Sequence, residues 1–287
     1  MVRVSEYPKA ICTFMLVLFI LICFGACGIE AQTRRIPPDE MAALGEIAEQ
    51  LGKKDWNLNL NHCDENFNWY TPIVPTRISN STVNCNCSSA DECHISAIDL
   101  SRNYLRGSLP PEWASTKLEY MSFESNMFNG TVPAELGNLV DLLYLNFNSN
   151  NLTGELPKEF SNLINLRELS RLSSNNLNGK LPSFQSCKQL RILELEASGF
   201  EGPIPSDISL LRNLTEIRIT DLNGGASEFP KLENMTALEK LMLRNCDISG
   251  TIPVYLASFP LKVLDLSFNR LEGNISNFDG ATRLQYM

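Results

Sequence analysis

Histidine is nearly absent from this 287-residue chain, with His62 and His94 the only two. A catalytic or metal site built on imidazole therefore has almost no raw material. No nucleophile elbow, phosphate-cradling glycine loop or zincin helix occurs either. Runs of lysine and arginine are missing, and the net charge is −9. Such a chain offers nothing to nucleic acid or to an anionic membrane surface. Glu194 and Glu196 are the one paired-carboxylate candidate, but an open strand face gives them no pocket that would shift a pKa. The sequence thus predicts no catalytic residue, no cofactor and no metal.

Long apolar runs are confined to one place. Ala10 to Phe24 is almost wholly apolar, follows Arg3 and Lys9, and precedes the small residues Gly25, Ala26, Gly28 and Ala31. Its core of about 15 residues fits a secretory leader and falls short of the ~20 that a membrane span prefers. Residues 1–31 are read as a signal peptide ending at Gly28 or Ala31, with an uncleaved anchor as the alternative.

What the chain does have is a repeat. Ile95, Leu118, Leu142, Leu166, Leu190, Leu214, Leu238, Leu261 and Leu284 recur at spacings of 23 or 24 residues. Around most of them runs the pattern L-x-x-L-x-L-x-x-N-x-L-x-G-x-L/I-P, and Leu142 to Pro157 fits every position. Self-similarity at this period marks leucine-rich repeats. They predict an α/β solenoid, a right-handed horseshoe or superhelix with a parallel sheet on its concave face. Alternate apolar residues of each short strand face inward and those between face out. The asparagines 103, 126, 150, 175 and 269 should form a ladder whose amides satisfy turn backbone groups. Cys246 takes that place in the seventh repeat, while Ser198 and Leu222 fit less well. Two repeats are irregular: Leu169-Ser170-Arg171-Leu172 carries one residue too many and predicts a bulge, and Asp221-Leu222-Asn223-Gly224-Gly225 predicts a distorted turn. Residues 95–287 hold eight repeats and a ninth that stops within its first strand.

Residues 32–94 are of another kind and are assigned as an N-terminal cap. A helix should open at Pro38-Asp39-Glu40 with Met41, Leu44, Ile47 and Leu51 on one face. Cys63, Cys85, Cys87 and Cys93 follow, and in an oxidising compartment they predict two disulfides whose connectivity stays open. Zinc on Cys85-x-Cys87 with Cys93 and His94 is the rival; its one-residue spacing is wrong for common fingers. Cys187 and Cys246 are expected to be buried free thiols.

The outward strand residues are the candidate binding surface. Tyr120 and Tyr144 should stand side by side, as should Glu194 and Arg218, with Arg218 and Arg244 diagonal to one another. Aromatic and arginine residues anchor many interfaces. Tyr120, Tyr144, Asn146, Arg171, Glu194, Glu196, Arg218, Lys240 and Arg244 are the candidate ligand contacts. N-x-S/T sequons occur at Asn80, Asn129, Asn151, Asn213, Asn234 and Asn274, all candidate glycan sites. A seventh, at Asn86, is discounted because it lies between two cap cysteines.

The repeat ending in Gly130-Thr131-Val132-Pro133 and Gly250-Thr251-Ile252-Pro253 resembles the plant class of leucine-rich repeat. Cys85-Asn86-Cys87, Cys93-His94-Ile95, Glu201-Gly202-Pro203-Ile204-Pro205 and the run from Ile217 to Gly224 narrow the likeness. They resemble ectodomains of plant leucine-rich-repeat receptor-like serine/threonine kinases that also carry a malectin-like domain. One early repeat of that pattern is missing before Pro111-Glu112-Trp113. The resemblance implies further repeats, the malectin-like domain, a membrane span and a kinase, all beyond Met287, so the chain is expected to be part of something longer. It implies a cell-surface recognition module that binds a peptide, glycan or protein ligand, with a co-receptor ectodomain as a further partner. The membrane would be reached only through the missing C-terminal part. The alternatives are a secreted inhibitor or decoy, and a non-functional gene fragment.

Overall fold

The computed structural model describes residues 35–287 except 55, 57, 59–62, 64–68, 72–80, 89–91, 171, 276–277 and 279–280. The signal-peptide assignment, Asn80, His62 and Arg171 lie outside the described residues. The unit from Arg35 to Met287 opens with helix α1 (Pro38–Gln50). Pro38 starts it because proline has no N–H to leave unpaired in the first turn. Leu44, Ile47, Ala43 and Ala48 are buried. Met41 and Leu51 are only partly buried, so the helix face is rotated relative to the sequence reading. Glu40, 2% exposed, lies on the buried face.

Strands β1 (Trp69–Thr71), β2 (Ser81–Asn86) and β3 (His94–Asp99) follow, antiparallel to one another. From β3 onward the repeats alternate concave strands with short back strands. In chain order these are β4 (Arg106–Gly107), β5 (Tyr120–Ser122), β6 (Met127–Gly130), β7 (Tyr144–Asn146), β8 (Asn151–Gly154), β9 (Glu168–Ser170), β10 (Asn176–Leu177) and β11 (Ile192–Leu195). Then come β12 (Glu216–Ile219), β13 (Ser227–Glu228), β14 (Lys240–Met242), β15 (Ile248–Thr251), β16 (Val263–Asp265) and β17 (Arg270–Glu272). Among the described residues the concave sheet has ten strands in the order β1-β2-β3-β5-β7-β9-β11-β12-β14-β16. All pairings from β3 to β16 are parallel. The chain is a leucine-rich-repeat solenoid.

The template leucines form one continuous core, because no single repeat can cover its own apolar edge. Phe123 stacks on Phe147 at 5.9 Å and tilts against Phe128 and Trp113. The L/I-P ending has a local role: Pro110, Pro133, Pro157, Pro205 and Pro253 each precede a 3-10 turn. Their fixed φ leads the chain from the back strand into that turn.

The asparagine ladder is present, although at its first rung the Asn103 side chain only donates, to Leu100 O and Ser101 O, and its buried Oδ1 has no partner among the described residues. Asn126 Nδ2 donates to the carbonyls of Leu100 and Phe123, and its Oδ1 accepts from the N–H of Asn103 and Leu105. Asn150, Asn175 and Asn269 repeat the arrangement. Ser198, read from sequence as a poor fit, also serves: its hydroxyl donates to Leu172 O at 2.8 Å. Cys246 points its thiol at Ile219 O. Leu222 has no polar side chain to contribute, and its backbone N–H donates to Asn245 O instead.

Both irregular repeats leave a trace. β9 pairs β11 over only two residues, and the strand stops at Ser170. The back strands fall into two sheets, β10-β8-β6-β4 and β13-β15-β17, joined across the gap by isolated bridges at Lys180, Glu201 and Asn223. Beside this gap Gly199 packs closely on β10. It adopts φ +88°, and a Cβ there would meet Leu177 O at 2.2 Å, so the backbones touch where a side chain would hold them apart.

Candidate functional site

Register fixes which concave side chains are neighbours. One row across the sheet reads Ala97, Tyr120, Tyr144, Glu168, Ile192, Glu216, Lys240 and Val263. A second places Asp99 beside Ser122 and Asn146, and Glu194 beside Arg218 and Met242. The sequence treats all these positions as outward and wet. The structure corrects that for several: Ser122 is 2% and Asn146 3% exposed, and Glu194 and Glu216 are buried too. Neighbouring strands lie about 4.8 Å apart, so small polar residues between larger ones lose their water.

At the N-terminal end of this face Tyr120 and Tyr144 stack with ring centroids 4.4 Å apart and planes within 4°. Asn146 Nδ2 donates to the Tyr144 hydroxyl at 3.2 Å and to Glu124 Oε2 at 3.3 Å. Ser101 and Ser122 hydroxyls meet at 2.9 Å. Burial, then the neighbouring Tyr144 and Asp99, push the Tyr120 phenol up to about 12. Tyr144 is raised as well, chiefly by burial. Both phenols are neutral hydrogen-bonding groups on a half-buried aromatic platform.

The C-terminal end is an ion-pair network. Arg218 contacts Glu216, lies 3.3 Å from Glu194 and 3.6 Å from Glu196, and so gathers three carboxylates. Lys240 Nζ reaches Glu216 Oε2 at 2.8 Å. Burial pulls the Glu216 carboxyl upward, but Lys240 and Arg218 together outweigh it and hold it below the ordinary carboxylate range. Glu194, Glu196, Arg218 and Lys240, chosen from sequence as ligand contacts, therefore occupy one another. Arg244 stands apart with its guanidinium 4.6 Å from the centre of the Phe268 ring. Register pairs Arg218 with Met242, so Arg244 lies diagonal to Arg218, two residues further along.

The cap is joined to the sheet by Glu40. Its Oε1 pairs with His94 Nδ1 at 2.5 Å and its Oε2 accepts the Ile95 N–H at 2.9 Å. Sequence reasoning placed Glu40 only as a helix opener; its position three residues before the apolar Ala43-Leu44 pair gave no sign of burial. Cys63–Cys85 and Cys87–Cys93 are disulfides. The sulfurs of Cys63, Cys87 and Cys93 lie within 4.8 Å of one another, but bridged sulfur offers no thiolate to a metal. Cys187 and Cys246 are buried and free, and burial pushes their thiols up to about 11 and 12.

Asn129, Asn151, Asn213, Asn234 and Asn274 are all exposed and all lie off the concave strands. Asn129 and Asn151 are register partners in β6 and β8, while the Asn213 amide donates to Lys188 O. Among the described residues no helix is long and apolar enough to cross a membrane.

Comparison with known proteins agrees with this architecture. The Leucine Rich Repeat family model matches residues 141–163, 237–259 and 260–280. A probable LRR receptor-like serine/threonine-protein kinase of Arabidopsis thaliana is 36% identical over 156 residues, which is 45% of this chain and 15% of that relative. The solved LRR ectodomain of the Arabidopsis thaliana receptor kinase GASSHO1/SCHENGEN3, in complex with CASPARIAN STRIP INTEGRITY FACTOR 2, superposes with a TM-score of 0.67 at 26% identity. It covers 85% of this chain, which spans 32% of it. The plant peptide hormone receptor RGFR1 in complex with RGF2 gives a TM-score of 0.61 at 30% identity, over 67% of this chain and 31% of that one.

Proposed function

Because the chain is a plant-type leucine-rich-repeat solenoid similar to receptor-kinase ectodomains, we propose that it is an extracellular recognition module whose concave face binds a peptide. The observation that carries this is the Tyr120–Tyr144 platform, an aromatic pair at positions where the repeat needs no aromatic. Two tyrosines offer large, rigid contact area with hydroxyls at the edge, at little cost in side-chain entropy. The similar solved peptide hormone receptor RGFR1, in complex with RGF2, supports a peptide over a small molecule. So does the open sheet, which encloses nothing. Recognition is by display: the parallel sheet holds the contact residues rigid, and a co-receptor ectodomain would read the bound peptide as part of a composite surface.

An extracellular location is supported by the paired cap cysteines and by the exposed sequons. Residues 1–31 would be the leader that directs the chain there, 32–94 the cap and 95–287 the repeats.

A dodecapeptide library panned on the full chain tests the reading. Selected peptides should bind the Tyr120→Ala/Tyr144→Ala variant at least about tenfold more weakly, the scale of losing two interface anchors. Tyr104→Ala/Met127→Ala, on the back of the repeats, should leave affinity unchanged. The reverse pattern would move recognition to another face.

A further inference from the structure

We propose that the Tyr120–Tyr144 stack, flanked by Asp99 and Glu124, is a subsite for one cationic side chain, arginine or lysine, of the bound peptide. This rests on the concave-face reading above and assigns the chemistry of its N-terminal half.

Charge is distributed unevenly along the face. At and beside β11, β12 and β14, Glu194, Glu196 and Glu216 are ion-paired with Arg218 and Lys240 of the sheet itself. Asp99, the last residue of β3, and Glu124, two residues past β5, are held differently. Asp99 Oδ1 accepts the Ser101 N–H at 2.9 Å, and Glu124 accepts the amides of Asn146 and Asn148. These neutral donors orient the carboxylates without cancelling their charge. Among the described residues neither Asp99 nor Glu124 has an ion-pair partner.

Both carboxylates border the aromatic stack on the C-terminal side of its row. Tyr120 and Tyr144 share one row, Asp99 stands beside Ser122 in the next, and Glu124 is tied through Asn146 to the Tyr144 hydroxyl. The rings shield one another's inner faces, leaving hydroxyl edges and outer faces for a ligand. An aromatic face attracts a cation through its quadrupole, and arginine can stack on the ring while donating to a carboxylate. A neutral or anionic side chain would leave two carboxylates partly desolvated without compensation. Charge complementarity therefore selects a cation here, whereas the carboxylates of the other half already hold Arg218 and Lys240.

The test uses the panned dodecapeptides with the full chain. They should carry arginine or lysine at one recurring position. Replacing that residue by neutral citrulline or norleucine should weaken binding about fivefold or more, as loss of a cation–π contact and a charge pair would. Against the near-isosteric Asp99→Asn/Glu124→Gln variant the charged and neutral peptides should bind alike, and the salt dependence of binding should flatten. If neutral peptides bind the unaltered chain equally well, or if the variant keeps the preference for a cation, the subsite assignment fails while concave-face binding stands. If the peptides ignore Tyr120→Ala/Tyr144→Ala altogether, both fail.

Discussion

A single asparagine per repeat does more for this chain than any charged residue. Asn126 makes hydrogen bonds to backbone groups of two successive repeats. Asn126→Ala orphans several of them in a buried turn and should lower unfolding free energy by roughly 3 kcal/mol, read by chemical denaturation. Ser198→Ala, which removes one hydroxyl bond to Leu172 O, should cost roughly 1 kcal/mol. The ladder was legible from spacing alone, but the competence of Ser198 was not. A hydroxyl supplies the donor but lacks the reach of an amide, and only the local approach of Leu172 O decides whether that suffices. Glu216 gives a pH prediction. Its folded pKa is depressed by Lys240 and Arg218, so its contribution is present above the unfolded value of about 4.3 and is lost as pH falls through the lower folded value. Glu216→Gln should therefore be less stable than the unaltered chain at pH 7, with the difference shrinking below about pH 4. A constant difference across that range would remove the ion pairs from the account.

At the scale of elements, the periodic leucines predicted the concave strands closely, since a period-2 pattern inside a 24-residue repeat leaves little choice of register. The back of the repeats was harder to read. Its strands are two to four residues long, and their order depends on close backbone approach more than on apolar pattern. Gly137 is an example. A Cβ there would sit 2.5 Å from Glu159 O and 2.6 Å from Glu159 Cβ, where successive 3-10 turns stack. Gly137→Ala should destabilise the chain by about 1–3 kcal/mol. Gly45 within α1 meets only Leu58 at an ordinary 3.7 Å, so Gly45→Ala should stabilise by about 0.5–1 kcal/mol. Opposite signs in thermal unfolding check the pair. The helix was expected from Pro38 and the apolar spacing, but its attachment through buried Glu40 was not, because an acid near a helix start usually means only a favourable dipole.

For the molecule as a whole, the sequence identified the candidate face but not how its charges divide. Adjacent Tyr120 and Tyr144 followed from the repeat period, as did the contact of Glu194 with Arg218. What period could not give is that Arg218 collects three glutamates and Lys240 shares one of them. Side-chain reach, not register, makes that network. Its consequence is a face with an aromatic, acidic N-terminal half and an ion-paired C-terminal half. The sequons add a second asymmetry. Glycans on Asn129, Asn151, Asn234 and Asn274 would cover the back and flanks and leave the concave strands clear. Peptide mapping of the chain expressed through a eukaryotic secretory pathway, with and without deglycosylation, should find modification at these positions.

Hydroxyl-radical footprinting of the full chain with and without a selected peptide tests the central claim most directly, since tyrosine and methionine side chains report their own accessibility. Tyr120 and Tyr144 should lose reactivity when peptide binds, while Tyr104 and Met127, 56% and 43% exposed on the back of the repeats, should keep theirs. Protection of Tyr104 and Met127 with Tyr120 and Tyr144 unchanged would contradict recognition on the concave face.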